Sequence, residues 1–112
     1  VAVRCAGEQG KFWEMRHLVT MNAAVLSREK YVDLAKSLGL DTGKLDKCID
    51  GGDQYKTDID RDMAAGIQLG VNGTPTFFVG RTAPDAIEAQ RIVGAQPFQV
   101  FDTQIKALLG ER

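Results

Sequence analysis

Gly70-Val71-Asn72-Gly73-Thr74-Pro75-Thr76-Phe77-Phe78-Val79-Gly80 is the stretch on which the fold turns. Its first half brings Gly70, Asn72, Gly73 and Pro75 close together, and such residues break any helix arriving from upstream. Its second half, Thr76-Phe77-Phe78-Val79-Gly80, is β-branched and aromatic, the composition that suits a pleated surface. Helix therefore gives way to sheet here.

Downstream, a polar stretch over 81–90 leads to Arg91-Ile92-Val93, which reads as a second strand closing an antiparallel hairpin through a long loop. Pro97 suits a first helical turn, and Phe98, Phe101, Ile105 and Leu108 follow at spacings of three and four up to Gly110. Upstream, Tyr55, Ile59, Met63 and Ile67 recur every fourth residue between Asp53 and about Leu69, the pattern of an amphipathic helix. Asp58, Asp60 and Asp62 on its other faces are interleaved with Lys56 and Arg61, as on a solvated face rather than in a catalytic carboxylate pair.

The first half of the chain reads as helices throughout. Ser27 offers an N-cap for a helix carrying Tyr31, Leu34, Ala35 and Leu38, which Gly39 stops. Asp41 offers another for a short helix with Leu45, Cys48 and Ile49 turned inward, ending at Gly51-Gly52. The Ala-rich run from Val1 to Gly10 and the segment Lys11 to Val19 are also helical in pattern. Ala2, Cys5 and Ala6, then Phe12 and Trp13, form their expected buried stripe. Val1 to Ala6 carries no start methionine, no export-signal pattern and no N-cap, and reads as the middle of a helix, so residues upstream of Val1 are expected.

Composition bounds the function. The 112 residues, 44% hydrophobic and 26% charged, suit one ordinary globular domain with no internal repeat or long linker. A net charge of -1 leaves no basic excess for a phosphate backbone or an anionic lipid surface, so neither nucleic acid nor membrane is an expected partner. No apolar run approaches the roughly 20 residues of a bilayer-spanning helix. His17, the only histidine, is assigned no role, and a metal site lacks the convergent ligands it needs. The two cysteines, Cys5 and Cys48, are too far apart in sequence for a local redox or zinc pair.

Three segments carry a resemblance: Cys5-Ala6-Gly7-Glu8-Gln9-Gly10-Lys11-Phe12-Trp13-Glu14-Met15, the later Cys48, and the stretch from Gly70 to Gly80. In order and spacing they resemble the DsbA-like thiol-disulfide oxidoreductases of the thioredoxin superfamily. The resemblance implies a helix-rich α/β fold, a partial thioredoxin-like unit. Residues 1–52 would be a helical insertion subdomain. Residues 53–112 would be the C-terminal half of a thioredoxin-like domain: crossover helix, β-hairpin and final helix. The redox pair Cys-x-x-Cys of that family is absent from this sequence, and neither Cys5 nor Cys48 maps onto it. No catalytic residue is therefore assigned, no cofactor is expected, and the chain alone is expected to be inactive.

What the resemblance does assign is a substrate-contacting loop. An X-Pro bond is ordinarily trans, but the family's corresponding proline is cis, so the resemblance implies a cis bond before Pro75. Gly73, Thr74 and Pro75 would then contact substrate, with the Thr74 N–H and C=O pairing to an unfolded or extended polypeptide by short strand addition. The Thr74 hydroxyl would either adjust the family's sulfurs or cap its own turn. Cys5 and Cys48 would form a structural disulfide or remain two buried thiols. The implied setting is periplasmic or otherwise extracytoplasmic, with a redox partner protein for the parent. Alternatives are a non-catalytic peptide-binding module and the kappa-like glutathione transferase and isomerase branch, an intracellular setting in which the two cysteines are harder to explain. The open edge of strand 76–80 is expected to pair with a second copy or with the rest of its own protein.

Overall fold

A computed structural model of the chain describes residues 1–110. Five α-helices lead into a hairpin and a sixth helix: α1 (Ala2–Glu8), α2 (Phe12–Met21), α3 (Arg28–Ser37), α4 (Thr42–Asp50), α5 (Asp53–Gln68), β1 (Thr76–Thr82), β2 (Ile87–Val93) and α6 (Phe98–Leu109). A short 3-10 turn, Ala23–Val25, links α2 to α3. This is the helix-rich α/β arrangement expected of a partial thioredoxin-like fold. The chain forms two compact units, the first ending at Met63 and the second beginning at Ala64 within α5.

In the first unit, local signals and packing agree. The Ser27 hydroxyl accepts the Lys30 N–H at 3.1 Å, and the Asp41 carboxylate accepts the Lys44 N–H at 3.0 Å, so both N-caps start their helices. Gly39, at φ +74°, stops α3. Cys5, Ala35 and Leu45 form one buried cluster, and Ala6, Met15 and Leu34 another. Gln9 and Asp41 exchange two hydrogen bonds, Nε2 to the carbonyl at 3.1 Å and backbone N–H to Oε1 at 2.9 Å, tying the end of α1 to the start of α4. Arg28 bridges α3 to α4 through Asp46 at 3.0 Å and Asp50 at 2.9 Å.

Three details differ from the sequence reading. Trp13 is 70% exposed rather than packed inside. The inward stripe of α2 is Phe12, Met15 and Val19, and Trp13 lies about 200° around the helix from Met15. None of the residues of α5 is buried, and Met63 and Ile67 are largely exposed despite their regular spacing. The hairpin loop is also short: β1 runs on to Thr82 and β2 begins at Ile87, leaving only 83–86 between them. Glu88 and Gln90 are polar because β2 is solvated here, which hid the strand from a reading that sought apolar runs.

In the second unit, β1 and β2 pair antiparallel from Thr76↔Val93 to Thr82↔Ile87. Gly80 permits this pairing, since a Cβ there would collide with the Glu88 carbonyl oxygen and lie 2.9 Å from the Ala89 Cβ. Phe77 meets Phe101 of α6 edge to face at 5.0 Å, and Ile92 is buried.

Candidate functional site: the Gly73-Thr74-Pro75 loop

The loop is built from the end of α5. Gly70, at φ +75°, turns the chain in a Schellman motif: the Val71 N–H reaches the Gly66 carbonyl at 2.9 Å and the Gly70 N–H reaches that of Ile67 at 3.0 Å. Arg91 of β2 donates to the carbonyls of Leu69 and Gly70, where a cation also complements the helix dipole. Its guanidinium lies 5.5 Å from the Phe78 ring centre, so one side chain links helix end, strand and loop. Sequence reasoning gave Arg91 no such part. Its only signal was a cation within an otherwise apolar strand triplet.

The far side of the loop is held equally locally. The Gly94 N–H donates to the Pro75 carbonyl at 2.7 Å, and the Thr76 hydroxyl to the Gly73 carbonyl at 2.6 Å. The Thr74–Pro75 peptide bond is cis. Gly73, Thr74 and Pro75 are all exposed. Among the described residues, neither the N–H nor the C=O of Thr74 has a hydrogen-bond partner. The site thus offers one backbone donor and one acceptor to solvent from a loop anchored on both sides.

The bond from Gly94 to Pro75 also sets the phase of the hairpin ladder. Antiparallel pairs alternate, so the main-chain groups of Phe77, Val79 and Arg81 face β2. Those of Thr76, Phe78, Gly80 and Thr82 face the other way, along an edge of the two-stranded sheet that carries no further strand among the described residues.

Cys5 and Cys48 lie in the first unit and are joined by a disulfide, with an S–S distance of 2.13 Å and Cα atoms 5.8 Å apart. Cys5 is 1% exposed, so a thiolate has no approach to its sulfur. Among the described residues no cysteine is free and no cluster of His, Cys, Asp and Glu could hold a metal. His17 lines a shallow apolar hollow with Trp13, Glu14, Leu18 and Leu38 and sits beside no nucleophile.

A model of the DSBA-like thioredoxin domain matches residues 1–106. This chain belongs to that family. The relation accounts for the order of helical segment, α5, turn, hairpin and α6. Over 92 residues it is also 32% identical to the Na(+)/H(+) antiporter NhaA of Herminiimonas arsenicoxydans, a match covering 81% of this chain and 15% of that protein. The chain thus spans only a small part of that relative. No solved structure matches. Among the described residues, no helix is long and apolar enough to cross a membrane.

Proposed function

We propose that this chain is the substrate-contacting part of an extracytoplasmic thiol-disulfide oxidoreductase, and that Gly73, Thr74 and Pro75 form its docking point for an extended polypeptide. The observation that carries this reading is the exposed, unpartnered N–H and C=O of Thr74 in a loop fixed by Arg91, Thr76 and Gly94. Backbone-to-backbone pairing gives affinity without demanding a client sequence, as an enzyme acting on many unfolded proteins requires. The exchange itself needs a thiolate, and this chain supplies none: its two cysteines are bonded to each other and one of them is buried. The nucleophilic sulfurs are therefore provided from outside these residues, where a redox partner protein would also act.

Two measurements test this. A labelled, reduced and carboxymethylated polypeptide, which is extended and carries no reactive thiol, binds the chain in fluorescence anisotropy. Binding indistinguishable from that of an inert globular control removes the docking role. In an insulin-reduction assay the same chain gives no turnover, and sustained turnover would show that it has a nucleophile after all.

The likeness to an antiporter supports a second reading, in which such a domain is carried on a membrane protein and works outside the bilayer. Fractionation of cells expressing the native gene separates the two, since recovery wholly in the soluble fraction excludes membrane carriage.

A further inference from the structure

We propose that Cys48 is a site of reversible adduct formation with small carboxylate-bearing thiols, through which the Cys5–Cys48 disulfide is opened and closed. The two sulfurs share one bond and differ in access. Cys5 is 1% exposed and sits with the fully buried Ala35 and Leu45 in an apolar cluster. Cys48, on α4, is only half-buried and lines a cavity of about 480 Å³ with Glu8, Gln9, Lys44 and Lys47. An incoming thiolate therefore reaches one sulfur and not the other.

The charges around that opening select the visitor. Lys44 lies one helical turn before Cys48 on the same face of α4, and Lys47 borders the same cavity. Among the described residues, neither ammonium group is ion-paired with a carboxylate. The other polar groups are already engaged: Glu8 accepts the Tyr55 hydroxyl at 2.6 Å, and the Gln9 amide exchanges hydrogen bonds with the Asp41 backbone. Two free cations and one fixed carboxylate complement a thiol carrying two carboxylates and one ammonium, which is the charge set of glutathione. The attacking thiolate is itself an anion, and cations beside the sulfur favour its approach.

The thiolate sulfur bonds to the Cys48 Sγ as the bond to the Cys5 Sγ breaks. Cys5 leaves with the electron pair and takes up the proton that the incoming thiol gave up. A second thiol attacks the adduct and releases Cys48, so two thiols are oxidised to one small disulfide while the protein disulfide is reduced to two thiols. Run backwards, the same path closes the bond, with Cys48 accepting the adduct and Cys5 displacing it. Expelling a thiolate into the apolar cluster around Cys5 is costly, so opening is slow and closure is favoured. No residue of the Gly73-Thr74-Pro75 loop takes part, so this site and peptide docking are separate matters.

The probes are glutathione and cysteamine, a cationic thiol without carboxylates. The unmodified chain is exposed to each, quenched with acid, alkylated and mapped by peptide mass. Glutathione is expected on Cys48 in at least about tenfold excess over Cys5. Opening rates are taken at equal thiolate concentration and divided by those of the urea-unfolded chain, which has no cavity. On that scale glutathione should exceed cysteamine by about three- to tenfold, falling towards one at about 1 M salt and in a Lys44→Gln, Lys47→Gln variant. Adducts shared equally between the two cysteines would mean that exchange passes through the unfolded chain, and would overturn the proposal. So would equal rates for the two thiols, a preference that the variant retains, or no adduct under conditions in which glutathione opens the unfolded chain.

Discussion

The two compact units differ in how far they satisfy themselves. In the first, Cys5, Ala6, Met15, Ala35 and Leu45 are buried to within 1% of completely, a disulfide crosses the core, and helix starts are capped by Ser27 and Asp41. In the second, Ile92 is the one buried hydrophobic among the described residues, while Ile67, Phe77, Phe78, Ile87 and Phe98 stay at least 40% exposed. The first unit has a closed, crosslinked core, although Trp13 and Met21 stay exposed on its surface. The second, with exposed aromatic rings and an unpartnered Thr74 backbone, is the reverse, and the proposed docking point lies in it.

The largest effect that would sharpen this contrast comes from the disulfide. Opening the loop closed by Cys5 and Cys48, 43 positions apart, by reduction or by a double Cys→Ala variant, should remove about 4 kcal/mol from the first unit on the chain-entropy model. Urea unfolding followed by far-UV circular dichroism with and without reductant measures it. Equal midpoints would show that the helical unit does not depend on its crosslink. Next in size is Leu45→Ala, whose buried side chain is 0% exposed and packs in the same cluster, with an expected loss of roughly 2–5 kcal/mol. Hydrogen exchange should show that loss in the amides of α1, α3 and α4 and leave β1 and β2 unchanged.

A smaller effect belongs to the second unit. Gly70→Ala puts a side chain at φ +75°, where its Cβ would come within 3.2 Å of the Arg91 guanidinium. The expected cost is about 1–2 kcal/mol, with faster exchange of the Val71 amide as the Schellman turn loosens. Unchanged exchange there would mean that the turn does not hold the loop.

The smallest is electrostatic. The Tyr55 hydroxyl donates to the Glu8 carboxylate at 2.6 Å, and this bond, with lesser contributions from burial and the carboxylate's charge, holds the phenol's pKa above its ordinary value. A phenol whose folded pKa is raised contributes stability that is present below the unfolded pKa of about 10 and is lost as pH rises through the folded value. Ultraviolet titration of phenolate formation should therefore show one late component that disappears in Tyr55→Phe. A wild-type curve identical to that of the variant, scaled for one tyrosine, would remove Glu8 as its partner.

How much was legible in the sequence follows the same division. Caps at Ser27 and Asp41, the stop at Gly39 and the change from helix to strand after Gly70 were readable because each is a local event with its own residue signature. The family resemblance, carried on the Gly-Glu-Gln-Gly-Lys-Phe-Trp segment and the Thr-Pro loop, is matched by a domain model over nearly the whole chain. Periodicity was less informative about burial: Met63 and Ile67 repeat as a core stripe does, yet are exposed, because spacing specifies a face and not what covers it. The anchoring of the loop by Arg91 could not be read either, since it joins residues 21 and 22 positions apart through contacts no motif records.

A backbone amide offered to a client strand can be observed directly by titrating the isotope-labelled chain with an unfolded, thiol-blocked peptide and following each N–H by nuclear magnetic resonance. Shifts concentrated at Gly73, Thr74 and Thr76, with α1 to α4 unmoved, are what the account predicts. Binding that perturbs only the helices of the first unit and leaves the Thr74 amide in place would contradict it.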